Sequence, residues 1–105
     1  MASYVLHEDL ASLVEVQPET IASRTFHKEG HARAVLFAFD TGQELTEHTS
    51  SHAAIIQILQ GRARIALGDD VHNLTEGAWL YMPPQLPHSV YAETPLKMLL
   101  ILLEE

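Results

Sequence analysis

Three histidines carry most of the chemistry that this sequence can offer. His48 and His52 lie in the stretch GQELTEHTSSHAAIIQILQG, residues 42–61, and His88 closes GAWLYMPPQLPH, residues 77–88. Each stretch opens on a glycine, passes through polar or proline-rich residues and delivers histidine beside an apolar run. Two separated pieces of chain can therefore present imidazoles to one pocket. A neutral ring nitrogen is a common ligand for transition metals. The chain has no cysteine, so any metal would rest on His, Asp and Glu, and neither disulfides nor thiolates are available. Competing chemistries fail on spacing. His48 and His52 share the separation of the helical zinc proteases, but Thr49 stands where that motif needs glutamate. Ser89 beside His88 is no nucleophile pair, because adjacent strand residues point to opposite faces. No glycine-rich phosphate loop is present.

The elements around these residues read as strands. Residues 21–28 alternate modestly, and residues 32–40 form a stronger strand with Val35, Phe37 and Phe39 on one face. Ala53 opens the β-branched run AAIIQIL, which Gln60-Gly61 closes as a turn would. In residues 62–67 arginine alternates with Ala63, Ile65 and Leu67, a half-buried pattern. Gly68-Asp69-Asp70 marks a hairpin, with VHNLT returning. Residues 79–82, 88–92 and 96–103 supply three further strands, the first stopped by Pro83-Pro84. Short strands at this spacing, with no helical stretch between them, predict an all-β antiparallel sandwich or barrel. The first 17 residues leave a short helix and a lead-in strand both open. Trp79, Tyr81 and Met82 are expected either to wall the pocket or to fill the core. His7, His27, His31 and His72 are expected at the surface.

Composition narrows the partners. At 105 residues the chain is one domain, able to bury about two thirds of its unfolded surface. A net charge of -8 without any Lys/Arg cluster argues against nucleic acid and anionic lipid, which need a basic surface. The amino terminus lacks a basic region followed by a long apolar core, so no secretory signal is expected and a cytoplasmic location is. The longest apolar run, residues 98–103, falls far short of the roughly 20 residues of a membrane-spanning helix. That last strand, LKMLLILL, is apolar on both parities after Lys97. One face suits a barrel interior and the other needs a cover, which leads to the expectation of a homodimer.

On its two histidine stretches the chain resembles a small single-domain cupin. Gly42, His48 and Gly61 fall on the spacing of that family's first motif, with Ser50 at its second histidine and Ala54 at its glutamate. Gly77, Pro83 and His88 match the second motif, with Gln85 at its glycine and Ala92 at its asparagine. The resemblance covers roughly residues 32–103, leaving residues 1–31 as an N-terminal extension. It implies an antiparallel double-stranded β-helix, or jelly-roll barrel. It also implies a divalent transition metal (Zn, Mn, Fe or Ni) on His48 and His88, two of the family's four ligands, and leaves open whether His52 supplies a compensating third. By analogy, oxygenase, isomerase or hydrolase chemistry on a small oxygenated molecule would follow; the rival reading is a metal-free module that binds or senses a small molecule. Along a straight strand His48 and His52 would stand roughly 13 Å apart, so both reach one ion only if Thr49-Ser50-Ser51 bends. Without a bulge, even parity from His48 places Ser50, His52, Ala54, Ile56 and Ile58 inward.

Overall fold

The alternating patterns resolve into two facing antiparallel sheets in the computed structural model, which describes residues 3–104. Among these residues the chain forms a turn of 3₁₀ helix at Leu10–Leu13 and then nine strands: β1 (Ile21–Glu29), β2 (Ala32–Phe39), β3 (Glu44–His48), β4 (Ala53–Gln60), β5 (Ala63–Leu67), β6 (Asp70–Leu74), β7 (Trp79–Met82), β8 (His88–Ala92) and β9 (Leu96–Leu103). One sheet runs β1-β2-β9-β4-β7 and the other β3-β8-β5-β6. This is the expected jelly-roll barrel. No helix among the described residues is long and apolar enough to cross a membrane.

Period-2 alternation fills the barrel. Ala54, Ile56 and Ile58 of β4, Ile65 of β5, Val90 of β8 and Met98 of β9 pack with Phe39 into one buried cluster. Inward parity from Ala54 is therefore as expected, and Phe37 joins Phe39 on the inner face of β2. β3 is the strand that the pattern hides. Of its five residues, ELTEH, only Leu45 packs on the core, because β3 is a sheet edge beside β8.

A second cluster lies outside the barrel, and it changes the argument about β9. Ala34, Leu36 and Ala38 of β2 and Leu99 of β9 are buried under Leu10, Leu13, Val14 and Val16. The chain's own N-terminal segment thus covers part of the face for which a second subunit is expected. Two long side chains pin it: Lys97 Nζ donates to the Ala11 carbonyl at 2.6 Å and Arg24 Nη1 to that of Leu13 at 3.2 Å. Val14 is the buried anchor of this segment. Val14→Ala is expected to cost about 1.5 kcal/mol, two buried methyl groups, read as a lower urea midpoint with an unchanged slope.

Candidate functional site

A β-bulge brings the two motif histidines together. Leu45 of β3 faces Val90 of β8, and the next register pair is His48 with His88, three residues along one strand against two along the other. Leu45 packs on the core, so strict alternation would turn His48 outward; the extra residue re-aims it into the barrel mouth. The rings then lie 4.2 Å apart between centroids, inclined at 57°.

Both rings are oriented in the same way. His48 Nδ1 donates to the Thr46 carbonyl at 2.7 Å, and His88 Nδ1 to the Leu86 carbonyl at 2.9 Å. A carbonyl oxygen only accepts, so each Nδ1 must carry the proton, and in the neutral ring each Nε2 keeps a free lone pair. Backbone anchoring of one ring nitrogen to free the other is the usual support of a metal-ligating histidine. His88 is 7% exposed, while His48 is open at the rim.

His52 is not brought to that pair. Its backbone N–H donates to Ser50 Oγ at 3.1 Å, which bends the chain at the hydroxyl-rich segment. Its Nε2 lies 3.9 Å from Glu104 Oε2, and the same oxygen accepts from Arg33 Nη2 at 2.9 Å. No group of three His, Cys, Asp or Glu that could hold one metal forms among the described residues. His52 nevertheless lines the same cavity as His48 and His88.

That cavity is about 440 Å³, with a hydroxyl rim of Thr49, Ser50 and Ser51 and an apolar wall of Ala54, Met82, Pro83, Leu86, Leu100 and Leu102. Neither carboxylate nor cation lines it. Trp79 and Tyr81 do not wall it: β7 turns Met82 inward, and the two aromatics project outside at 61% and 50% exposure. The two histidine loops are tied by Gln85 N–H donating to the Ser50 carbonyl at 2.8 Å. Gln85 makes that bond at φ 70°, left-handed backbone that costs a side chain about 1–2 kcal/mol. Glutamine therefore occupies here the conformation for which glycine is suited. Glu104 and the bulge are the site features that the sequence reading lacks, since neither carries a local signal.

The cupin domain model matches residues 35–102, which include β3, β8 and both histidine loops. Among solved structures, a conserved protein of unknown function from Streptococcus pyogenes is 29% identical, over 99% of this chain and 91% of that one, with a TM-score of 0.86. A cupin superfamily protein from Desulfitobacterium hafniense is 27% identical, over 96% and 95%, at 0.87. An RmlC-like cupin from Desulfovibrio desulfuricans is 29% identical, over 98% and 96%, at 0.78. No curated protein matches. With two motif histidines facing one another at the mouth of a jelly-roll barrel, and with most of its length matching the family model, this chain belongs to the cupin family.

Proposed function

We propose that the barrel binds a divalent transition metal at its mouth through Nε2 of His48 and His88, and holds a small oxygenated molecule beside it. The observation that supports this reading is the matched pair of imidazoles, each held by a backbone carbonyl on Nδ1 with Nε2 unengaged. Neutral nitrogen donors without thiolate or carboxylate suit Zn, Fe or Ni, and Mn less well. The residues present fit a two-histidine centre, with His52 as a third donor once its ring leaves Glu104. Such a metal supplies open coordination positions and a Lewis acid for a carbonyl or water. The chain supplies the rest. Met82, Leu86, Leu100 and Leu102 exclude water and pack the apolar part of the bound molecule, while Ser50 and Ser51 offer hydroxyls to its oxygens.

A second reading has its own support. Ser50 and Ala54 withhold the donors of a fuller ligand set, and no cluster of three ligands forms among the described residues. A metal-free pocket would use both Nε2 atoms as acceptors for the hydroxyl or amide protons of a ligand.

Elemental analysis of untagged protein purified without chelator separates the two. The metal reading expects roughly one transition metal ion per chain, absent from both His48→Ala and His88→Ala. Metal-free wild-type protein that takes none up on dialysis, yet retains a co-purified small molecule, would overturn it in favour of the second.

A further inference from the structure

The apolar wall of the cavity holds one further donor atom. Met82, on the inner face of β7, is the register partner of Ala54, is 2% exposed and lines the cavity with His48 and His88. Side chains directly opposite on one face of an antiparallel pair lie about 5 Å apart at Cβ. Ala54 carries nothing beyond that carbon, so a long thioether neighbours the position where the first cupin motif has its glutamate. Packing alone would be served by leucine, which the same wall uses at Leu86, Leu100 and Leu102. Met98 is different: it pairs with Ile58 at the other end of β4 and does not line the cavity.

The cavity thus presents two neutral imidazole nitrogens, a thioether sulfur and no carboxylate. Glu104, the acid beside His52, is engaged by Arg33 and borders an outer groove instead. An uncharged donor set selects by charge. Drawing an ion out of water costs free energy with the square of its charge, so against an apolar wall a monovalent ion loses only about a quarter of what a divalent ion of equal size loses. The set also selects by softness. A polarisable thioether favours Cu(I) among first-row ions, and imidazole suits copper as well. The number of donors agrees. A filled d shell leaves Cu(I) without geometric demand, and two or three ligands satisfy it, where structural Zn(II) sites ordinarily have four.

We propose that the barrel mouth is also a Cu(I) site, with Nε2 of His48 and His88 and Sδ of Met82 as its three donors. The inference rests on the two-histidine centre proposed above and adds to it a third ligand and a monovalent ion. A neutral thioether contributes little to a divalent ion that the imidazoles already hold. Met82 therefore sets which ion the site favours, while His48 and His88 set whether any ion is held.

Anaerobic titration of the full chain with Cu(I) against a chromophoric Cu(I) chelator tests this, with Zn(II) titrated in parallel. Wild type is expected to take up about one Cu(I) per chain. Met82→Leu, a swap that conserves core volume, should bind Cu(I) at least about 10-fold more weakly with its Zn(II) affinity unchanged. Met98→Leu removes a thioether from the same buried cluster without touching the cavity and should alter neither ion. His88→Ala should lose both. X-ray absorption at the copper edge should find sulfur beside nitrogen in wild type and nitrogen alone in Met82→Leu. Wild type that takes up Zn(II) but no Cu(I), equal Cu(I) affinity in wild type and Met82→Leu, an equal loss of Zn(II) in that variant, a matching loss in Met98→Leu, or copper without a sulfur neighbour would each overturn the Cu(I) site; Zn(II) binding that still depends on His88 would leave the two-histidine centre standing. Neither ion bound by wild type, or both retained by His88→Ala, would overturn the centre itself and the Cu(I) site with it.

Discussion

The Ser50→His, Ala54→Glu double variant is expected to bind Zn(II) on the order of 100-fold more tightly than wild type, or better. Loss of a mere outer-shell hydrogen bond changes metal affinity by about 10- to 100-fold, and here two donors would be added to the ion itself. Both positions line the cavity with His48 and His88. Ala54 is 2% exposed, at the inner end of β4, with Met82 and Leu102 as register partners. A carboxylate placed there without an ion is buried in apolar surroundings, which costs stability. With the ion it becomes a charged ligand. The metal-free variant should therefore melt below wild type and the Zn(II)-loaded variant above it, because a ligand bound only by the native state stabilises it by mass action. Chelator competition gives the affinity ratio, and thermal scans with and without Zn(II) give the crossing. Equal affinities would mean that wild type holds its metal elsewhere than on His48 and His88. A variant that binds tightly beside a wild type that binds nothing would fix the metal-free reading and assign the loss to Ser50 and Ala54.

What could be read from the residues, and what could not, follows physical lines. Period 2 is a local property of half-buried strands, so β2 and β5 announce themselves by alternation, whereas β4 and β9 are legible as short apolar runs. β3 shows neither, since an exposed edge strand with one core contact has no alternation to display. His48 and His88 are legible from motif spacing, but their convergence depends on a bulge between Leu45 and His48, and ELTEH has no glycine to mark one. His52 follows the predicted bend, yet its partner Glu104 lies 52 positions along the chain and is brought near only by the pairing of β4 with β9. Trp79 and Tyr81 alternate with inward Leu80 and Met82, so parity identifies two faces of β7 without saying which is inside. The N-terminal segment is the most ambiguous part of the sequence. Its few apolar residues make sense only against the outer face of β2 and β9, a surface that a linear reading assigns to a second subunit.

At the closed end of the barrel the largest stability effect is expected from Gly61→Ala. Gly61 turns the chain from β4 into β5 at φ 90°, and left-handed backbone alone costs alanine about 1–2 kcal/mol. Space adds more. A Cβ there would overlap the Pro95 carbonyl oxygen, and would stand 2.9 Å from Thr94 Oγ1 and 3.1 Å from Leu96 Cα. These atoms cannot step back independently. Arg62 N–H donates to Thr94 Oγ1 at 2.9 Å, Glu93 N–H donates to the Arg62 carbonyl at 3.1 Å, and Leu96 is fully buried at the start of β9. Relief therefore requires β9, the strand shared by both apolar clusters, to shift against β2 and β4. The total should reach about 4 kcal/mol, at the diagnostic end of single substitutions and a large share of the 5–15 kcal/mol that holds a domain of this kind together. Gly42→Ala separates the two contributions. Gly42 has φ 86° but nothing within 4 Å of a Cβ, so it should lose only the backbone part. Urea denaturation of both variants reads the difference, and equal losses would show that the close approach at Pro95 carries no weight. Because Gly61 lies at the end of β4 opposite Ala54, the folded fraction of its alanine variant should keep the metal affinity of wild type, whereas a site that depended on tension in β9 would weaken with it.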